Sequence, residues 1–94
     1  MELTFEWDDA KAVANVTNHG ITFEEGKTVF NDELSITIAD PDHSIGEDRY
    51  IDIGISAQGN LLVVVYTERG PNIRIISCRK ATKREQQVYV QREY

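Results

Sequence analysis

Residues 61–67 read LLVVVYT, a run without charge or interruption and rich in valine, which suits a strand covered on both faces. Gly70, Pro71 and Asn72 follow as turn residues, and residues 73–79 resume a β-rich run, so the two strands pair as a hairpin. Upstream the period is two. Leu34, Ile36 and Ile38 alternate with Glu33, Ser35, Thr37 and Ala39, which predicts a strand with one buried face. After a polar loop over residues 40–46, alternation returns over residues 48–55. Arg49, Ile51, Ile53 and Ile55 fall on one side of that strand, and Asp48, Tyr50 and Asp52 on the other. Gln58-Gly59-Asn60 then supplies the turn into residues 61–67.

The first third has a different period. Residues 3–7 form a short β-type run. Asp8 is a good N-cap, and Ala10, Val13, Ala14 and Thr17 recur at helical spacing, predicting a helix over 8–18 closed by Gly20. Thr22 with Glu25 three residues on has the capping-box form and opens a second helix to about Phe30. At the other end Ala81, Glu85, Val88, Tyr89 and Arg92 share one stripe and predict a helix over 81–92. The expected fold is α+β, in one domain spanning residues 1–94: a short N-terminal strand, two N-terminal helices, a four-stranded antiparallel meander and a C-terminal helix. Strict alternation puts Arg74 on the same strand face as Ile76 and Cys78.

Composition narrows the setting. Cys78 is the single cysteine, which excludes an internal disulfide and fits a reducing compartment. No apolar run approaches the roughly 18 residues of a membrane span, so a cytoplasmic location with no membrane partner is expected. His19 and His43 are far apart in the chain, with no cysteine pair and no calcium-loop spacing among the acids, so neither a metal nor a cofactor is expected. The net charge of −6 conceals an asymmetry. Residues 1–68 carry three basic and fourteen acidic side chains, whereas residues 69–94 carry seven basic and two acidic ones. A basic face for a polyanion accounts for this, as does a solvated C-terminal helix.

Phe5-Glu6-Trp7-Asp8, Lys11, Asn15, His19-Gly20, Phe23-Glu24-Glu25, Val29-Phe30 and Asp32 together resemble the opening of the BrnT family. Glu47-Asp48-Arg49, Ile53-Gly54, the run 62–67, Arg74-Ile75-Ile76-Ser77, Arg79-Lys80-Ala81, Glu85 and Tyr89 continue the resemblance in order. It implies a toxin of a type II toxin–antitoxin module with a RelE-like fold. Such a toxin cleaves RNA, arrests translation and is neutralised by a BrnA-like antitoxin, through which alone it meets DNA. Metal-free RNA cleavage needs a base for the 2′-hydroxyl, cations for the transition-state charge and an acid for the leaving oxygen. Arg69 and Arg79 are the first choices for charge stabilisation, because a guanidinium grips two phosphate oxygens. His19 and Glu47 are the candidate bases. Arg49, Arg74, Lys80, Lys83 and Arg84 are expected to hold RNA phosphates. Ser77 is expected to hydrogen-bond near the site and Tyr66 to stack on a base; His43 is expected to sit exposed in its loop. The competing reading is a non-catalytic module that only grips its antitoxin or acts as a co-repressor.

Overall fold

The structure is a computed structural model that describes residues 3–40 and 48–92. The loop expected over residues 40–46 lies almost entirely outside the described residues, as do His43 and Glu47. In chain order the elements are β1 (Thr4–Glu6), α1 (Asp9–His19), α2 (Phe23–Lys27), a 3-10 turn (Thr28–Asn31), β2 (Ile36–Ala39), β3 (Arg49–Ile55), β4 (Leu61–Arg69), β5 (Asn72–Lys80) and α3 (Lys83–Val90). The architecture is α+β. One sheet has the order β1-β5-β4-β3-β2. Strands β2 to β5 pair antiparallel in sequence, and β1 lies parallel to β5. The sheet is therefore five-stranded and mixed, where a four-stranded meander was expected. The short N-terminal run joins because the outer edge of β5 is open at residues 72–74, and Phe5 enters the core beside Ile73.

Local chemistry sets the helix ends. Asp8 accepts the Lys11 N–H at 3.0 Å, and Gly20, at φ 71°, closes α1 with its N–H on the Val16 carbonyl. Thr22 accepts the Glu25 N–H at 3.0 Å and opens α2. This helix ends at Lys27, short of the expected Phe30. The Thr28 hydroxyl donates to the Glu25 carbonyl at 2.6 Å, and the chain tightens there into the 3-10 turn. The last helix begins at Lys83, two residues later than expected, because Thr82 is its N-cap; Thr82 and Glu85 form a complete capping box.

The sheet has a different cover on each face. Against one face α1, α2 and the 3-10 turn enclose the larger core, in which Phe23, Val29, Ile21, Leu62, Val64, Tyr66, Ile73, Ile75 and Cys78 are buried. Against the other, α3 encloses a smaller one of Ile53, Val63, Ala81 and Tyr89. Strand β4 is thus covered on both faces as its composition demands, although Val65 remains only half-buried, as does Ile76 of β5. The close approach of α2 to the sheet needs Gly26, where a Cβ would lie 2.9 Å from the Cys78 Sγ. The edge strand β2 departs from the expected burial: Ile38 is 43% exposed, and Leu34, in the turn before the strand, is 51% exposed.

Two further findings concern sides. Asp52 lies with Tyr50 on the side of β3 opposite Ile51 and Ile53, as the alternation predicts, but that side is covered and Asp52 is 3% exposed. Its register partners are Val64 and Thr37, so it points into the layer beneath the helices. There its carboxylate accepts the Thr37 hydroxyl at 2.6 Å and the Tyr66 hydroxyl at 3.3 Å. Burial pushes the Asp52 carboxyl and the Tyr66 phenol above their ordinary ranges. The second finding, a β-bulge, corrects the alternation of β5. Tyr66 pairs with Ile75, but Val65 pairs with Ser77, so Ile76 is an extra residue. The bulge reverses the alternation of β5. Cys78 shares the helix-covered face with Val64, whereas Arg74 faces the opposite way beside Thr67.

Beyond Glu6 the outer edge of β5 has no strand partner among the described residues. The Asn15 amide of α1 replaces it, donating to the Cys78 carbonyl at 2.7 Å and to the Ile21 carbonyl at 2.8 Å and accepting the Cys78 N–H at 3.1 Å. Cys78 is buried, and its thiol is pushed up to about 11 by that burial.

Candidate functional site

The register of the sheet lines up four polar side chains from four adjacent strands on the α3 face: Glu6 of β1, Arg74 of β5, Thr67 of β4 and Arg49 of β3. The next row toward the β4–β5 turn holds Thr4, Asn72 and Arg69. On this face the core under α3 is centred on Ile53 and Val63, two rows away, with Ile51 and Leu61 packed against it.

Within the row, Arg74 Nη1 donates to Glu6 Oε2 at 2.8 Å, and Asn72 Nδ2 donates to Glu6 Oε1 at 3.0 Å. Thr4 in turn hydrogen-bonds Asn72. The two charged side chains are about one-third exposed, 30% for Arg74 and 33% for Glu6. The hydrogen bond from Arg74 holds the Glu6 carboxyl below the usual range, against the opposing effect of desolvation; Asn72 and the charge of Arg69 act in the same direction as Arg74. Thr67 sits between the two arginines at 1% exposure, and its hydroxyl has no hydrogen-bond partner among the described residues. A buried hydroxyl without a partner is uncommon in a folded protein.

Arg79 lies two rows along, opposite Val63. Its Nη1 and Nη2 each donate to a Glu85 oxygen at 2.8 Å, so the whole fork is engaged. Glu85 Oε1 also accepts the Thr82 N–H at 2.8 Å. The pair therefore ties the end of β5 to the start of α3. Arg79 holds the Glu85 carboxyl down to about 2, and Glu85 raises the Arg79 guanidinium in turn.

The fold thus gathers Arg49, Arg69 and Arg74 and gives Arg79 a structural partner. Lys80 ends β5 opposite Leu62, on the other face by register, and is exposed. Lys83 and Arg84 are exposed in the first turn of α3. His19 is exposed at the end of α1, whose helix packs on the opposite side of the sheet from the arginine row. Ser77 shares the arginine face with Val65 and is half-buried. Tyr66 is buried in an aromatic cluster with Phe30 and Tyr50, which leaves no ring face for a base. Glu6, Asn72 and Thr67 did not emerge from the sequence. Glu6 and Arg74 are 68 residues apart, and only the parallel pairing of β1 with β5 brings them together.

The family described as "Ribonuclease toxin, BrnT, of type II toxin-antitoxin system" matches residues 7–85. Among solved structures the chain is similar to the Brucella abortus ribonuclease toxin BrnT, a crystal structure at 1.1 Å. The two are 20% identical with a TM-score of 0.64, over 87% of this chain and 100% of that one. This likeness speaks for a shared fold. No curated protein matches the chain in sequence.

Proposed function

The chain belongs to the BrnT family of type II toxin–antitoxin systems, described as ribonuclease toxins, and from that premise we propose that it is an endoribonuclease working without a metal on the open face of its sheet. The substrate is RNA, with messenger RNA the expected target and translation arrest the outcome. The observation that carries this reading is the convergence of Arg49, Arg69 and Arg74, from three different strands, on one end of that face. RNA carries its own nucleophile. A site that binds the phosphate, bears its transition-state charge and removes the 2′-proton is sufficient for cleavage. Lys83 and Arg84, on the first turn of α3, are suited to flanking phosphates.

Membership of a type II family implies an antitoxin. The partner proposed here is BrnA-like, with DNA reached only through it. The RelE-like description of the fold and a cytoplasmic location belong to the same proposal. Among the described residues no helix is long and apolar enough to cross a membrane.

A second reading has one observation in its favour. Arg74 and Arg79 are both paired with carboxylates in the isolated chain, as they would be in a module that only binds a protein. Expression of the chain alone, followed by mapping of RNA ends, separates the two. Growth arrest with new RNA ends, both abolished by co-expression of the antitoxin, is expected. An intact RNA pool would overturn the ribonuclease reading and leave the binding module.

A further inference from the structure

We propose that Glu6 is the general base of this site and that Arg74 holds it in reserve until an RNA phosphate displaces it. The inference rests on the ribonuclease reading and adds a residue and a trigger to it.

Four features converge. Glu6 and Arg74 are neighbours across β1 and β5, on the same face as Thr67 and Arg49. Arg74 engages Glu6 through Nη1. A phosphodiester presents two oxygens to the planar fork and competes for it in a bidentate manner. Beside Arg74, the Thr67 hydroxyl is buried and has no partner among the described residues. It is a donor placed between two guanidinium-bearing positions, where an anion between Arg74 and Arg49 would give it an acceptor. The charged groups that act on Glu6 are Arg74 of β5 and Arg69 at the end of β4, with Asn72 as the polar contact. Once phosphate occupies Arg74, Glu6 loses its strongest hydrogen bond and becomes more basic, next to the ribose whose proton must leave.

The chemical step is balanced as follows. Glu6 takes the 2′-hydroxyl proton, and the O2′ electron pair forms the O2′–P bond. The P–O5′ bond breaks, and O5′ leaves with its electron pair and takes a proton from water. The hydroxide so formed receives the proton from Glu6. The products are a 2′,3′-cyclic phosphate and a 5′-hydroxyl. His19 is exposed at the end of a helix on the other side of the sheet, and Glu6 is in the row itself.

The test is single-turnover cleavage of an RNA oligonucleotide by the full chain, across pH, beside binding of the uncleavable 2′-deoxy counterpart. Glu6→Gln keeps the shape of the side chain. It is expected to lose cleavage by about 10²–10⁴-fold, the usual contribution of a general base, to bind the deoxy probe at least as tightly, and to lose the acid limb of the pH–rate profile. Arg74→Gln is expected to move that limb to higher pH, because Glu6 is then no longer held down. Glu6→Gln with the wild-type rate and an unchanged profile overturns the assignment. Equal losses of rate and affinity also overturn it, since they make Glu6 a positioning group. Should Glu6→Gln fail to fold, Glu6→Asp decides: a slower rate with the acid limb kept supports the base, and an unchanged rate refutes it. A wild-type chain that cuts no RNA overturns the ribonuclease reading itself, and this assignment with it.

Discussion

At the scale of single residues, buried polar groups reveal what the packing demands. Asn15 acts as a missing strand, satisfying both backbone groups of Cys78 and the Ile21 carbonyl. Asn15→Leu leaves those groups without partners and is expected to cost about 1–3 kcal/mol for each left buried, read as a lower urea midpoint. Asp52 makes the opposite case. Its folded carboxyl titrates above the ordinary value because burial penalises the charge. The folded state therefore holds the proton more tightly than the unfolded chain, and stability falls as pH rises from the ordinary value through the raised one. At neutral pH the buried carboxylate is at its most costly. Asp52→Asn removes this dependence and is expected to raise the thermal midpoint near pH 7 relative to wild type, with the gap closing toward acid pH. An unchanged gap across that range would assign the cost to something other than charge burial. A periodicity argument finds neither residue, since asparagine in a helix and aspartate in an alternating strand both read as solvent-facing.

At the scale of elements, α3 is fixed by its first turn. Arg79, Glu85 and Thr82 form one cluster that joins the end of β5 to the helix. Glu85 has a folded value of about 2 against an ordinary 4.5. Its stabilising contribution is fully present above the ordinary value and is lost as pH falls from there toward about 2. Urea unfolding at about pH 6 and about pH 3 should show a smaller acid loss in Glu85→Gln than in wild type. The pair is partly exposed, so Arg79→Ala is expected to cost on the order of 1 kcal/mol. The same view separates the arginines by role. Arg74→Ala is expected to lose about 10²–10³-fold in single-turnover cleavage, as when one donor to transition-state charge is removed, and Arg79→Ala distinctly less when both are assayed well below their unfolding midpoints. A larger loss for Arg79 than for Arg74 would return the charge-stabilising role to Arg79. The bulge at Ile76 underlies this division, because strict alternation from Cys78 would leave Arg74 on the same helix-covered face as Cys78 instead of beside Thr67.

At the scale of the whole molecule, the sheet sets the larger helix-covered core apart from the arginine row, which shares the other face with the smaller core under α3. Val64 belongs to the larger core at 0% exposure, and Val64→Asp would bury an unpaired charge there and is expected to abolish the folded state, seen as loss of a cooperative transition. Lys83→Ala, which leaves the cores untouched, should instead weaken RNA binding and lower the salt dependence by about 0.7 in log–log slope for one single-strand phosphate contact. An unchanged slope would remove α3 from the RNA path. Much of this plan is legible in one dimension. Local chemistry determined the caps at Asp8, Thr22 and Gly20, the turns at Gly59 and Gly70, the doubly covered β4 and the basic C-terminal third, because each depends on residues close together in the chain. The family was legible too, from short runs kept in order. Tertiary structure alone decided the rest. The parallel seat of β1 depends on an edge left open 68 residues away. The bulge depends on a count of residues between two paired strands, and the buried side of Asp52 on which face each helix takes. The arginines were visible as a basic cluster, but their partners were not: Glu6 meets Arg74 only across β1 and β5, and Thr67 lies between arginines only through the register of β3, β4 and β5. Hydrophobic periodicity encodes which residues leave water, and the pairing of distant strands determines which polar residues meet there.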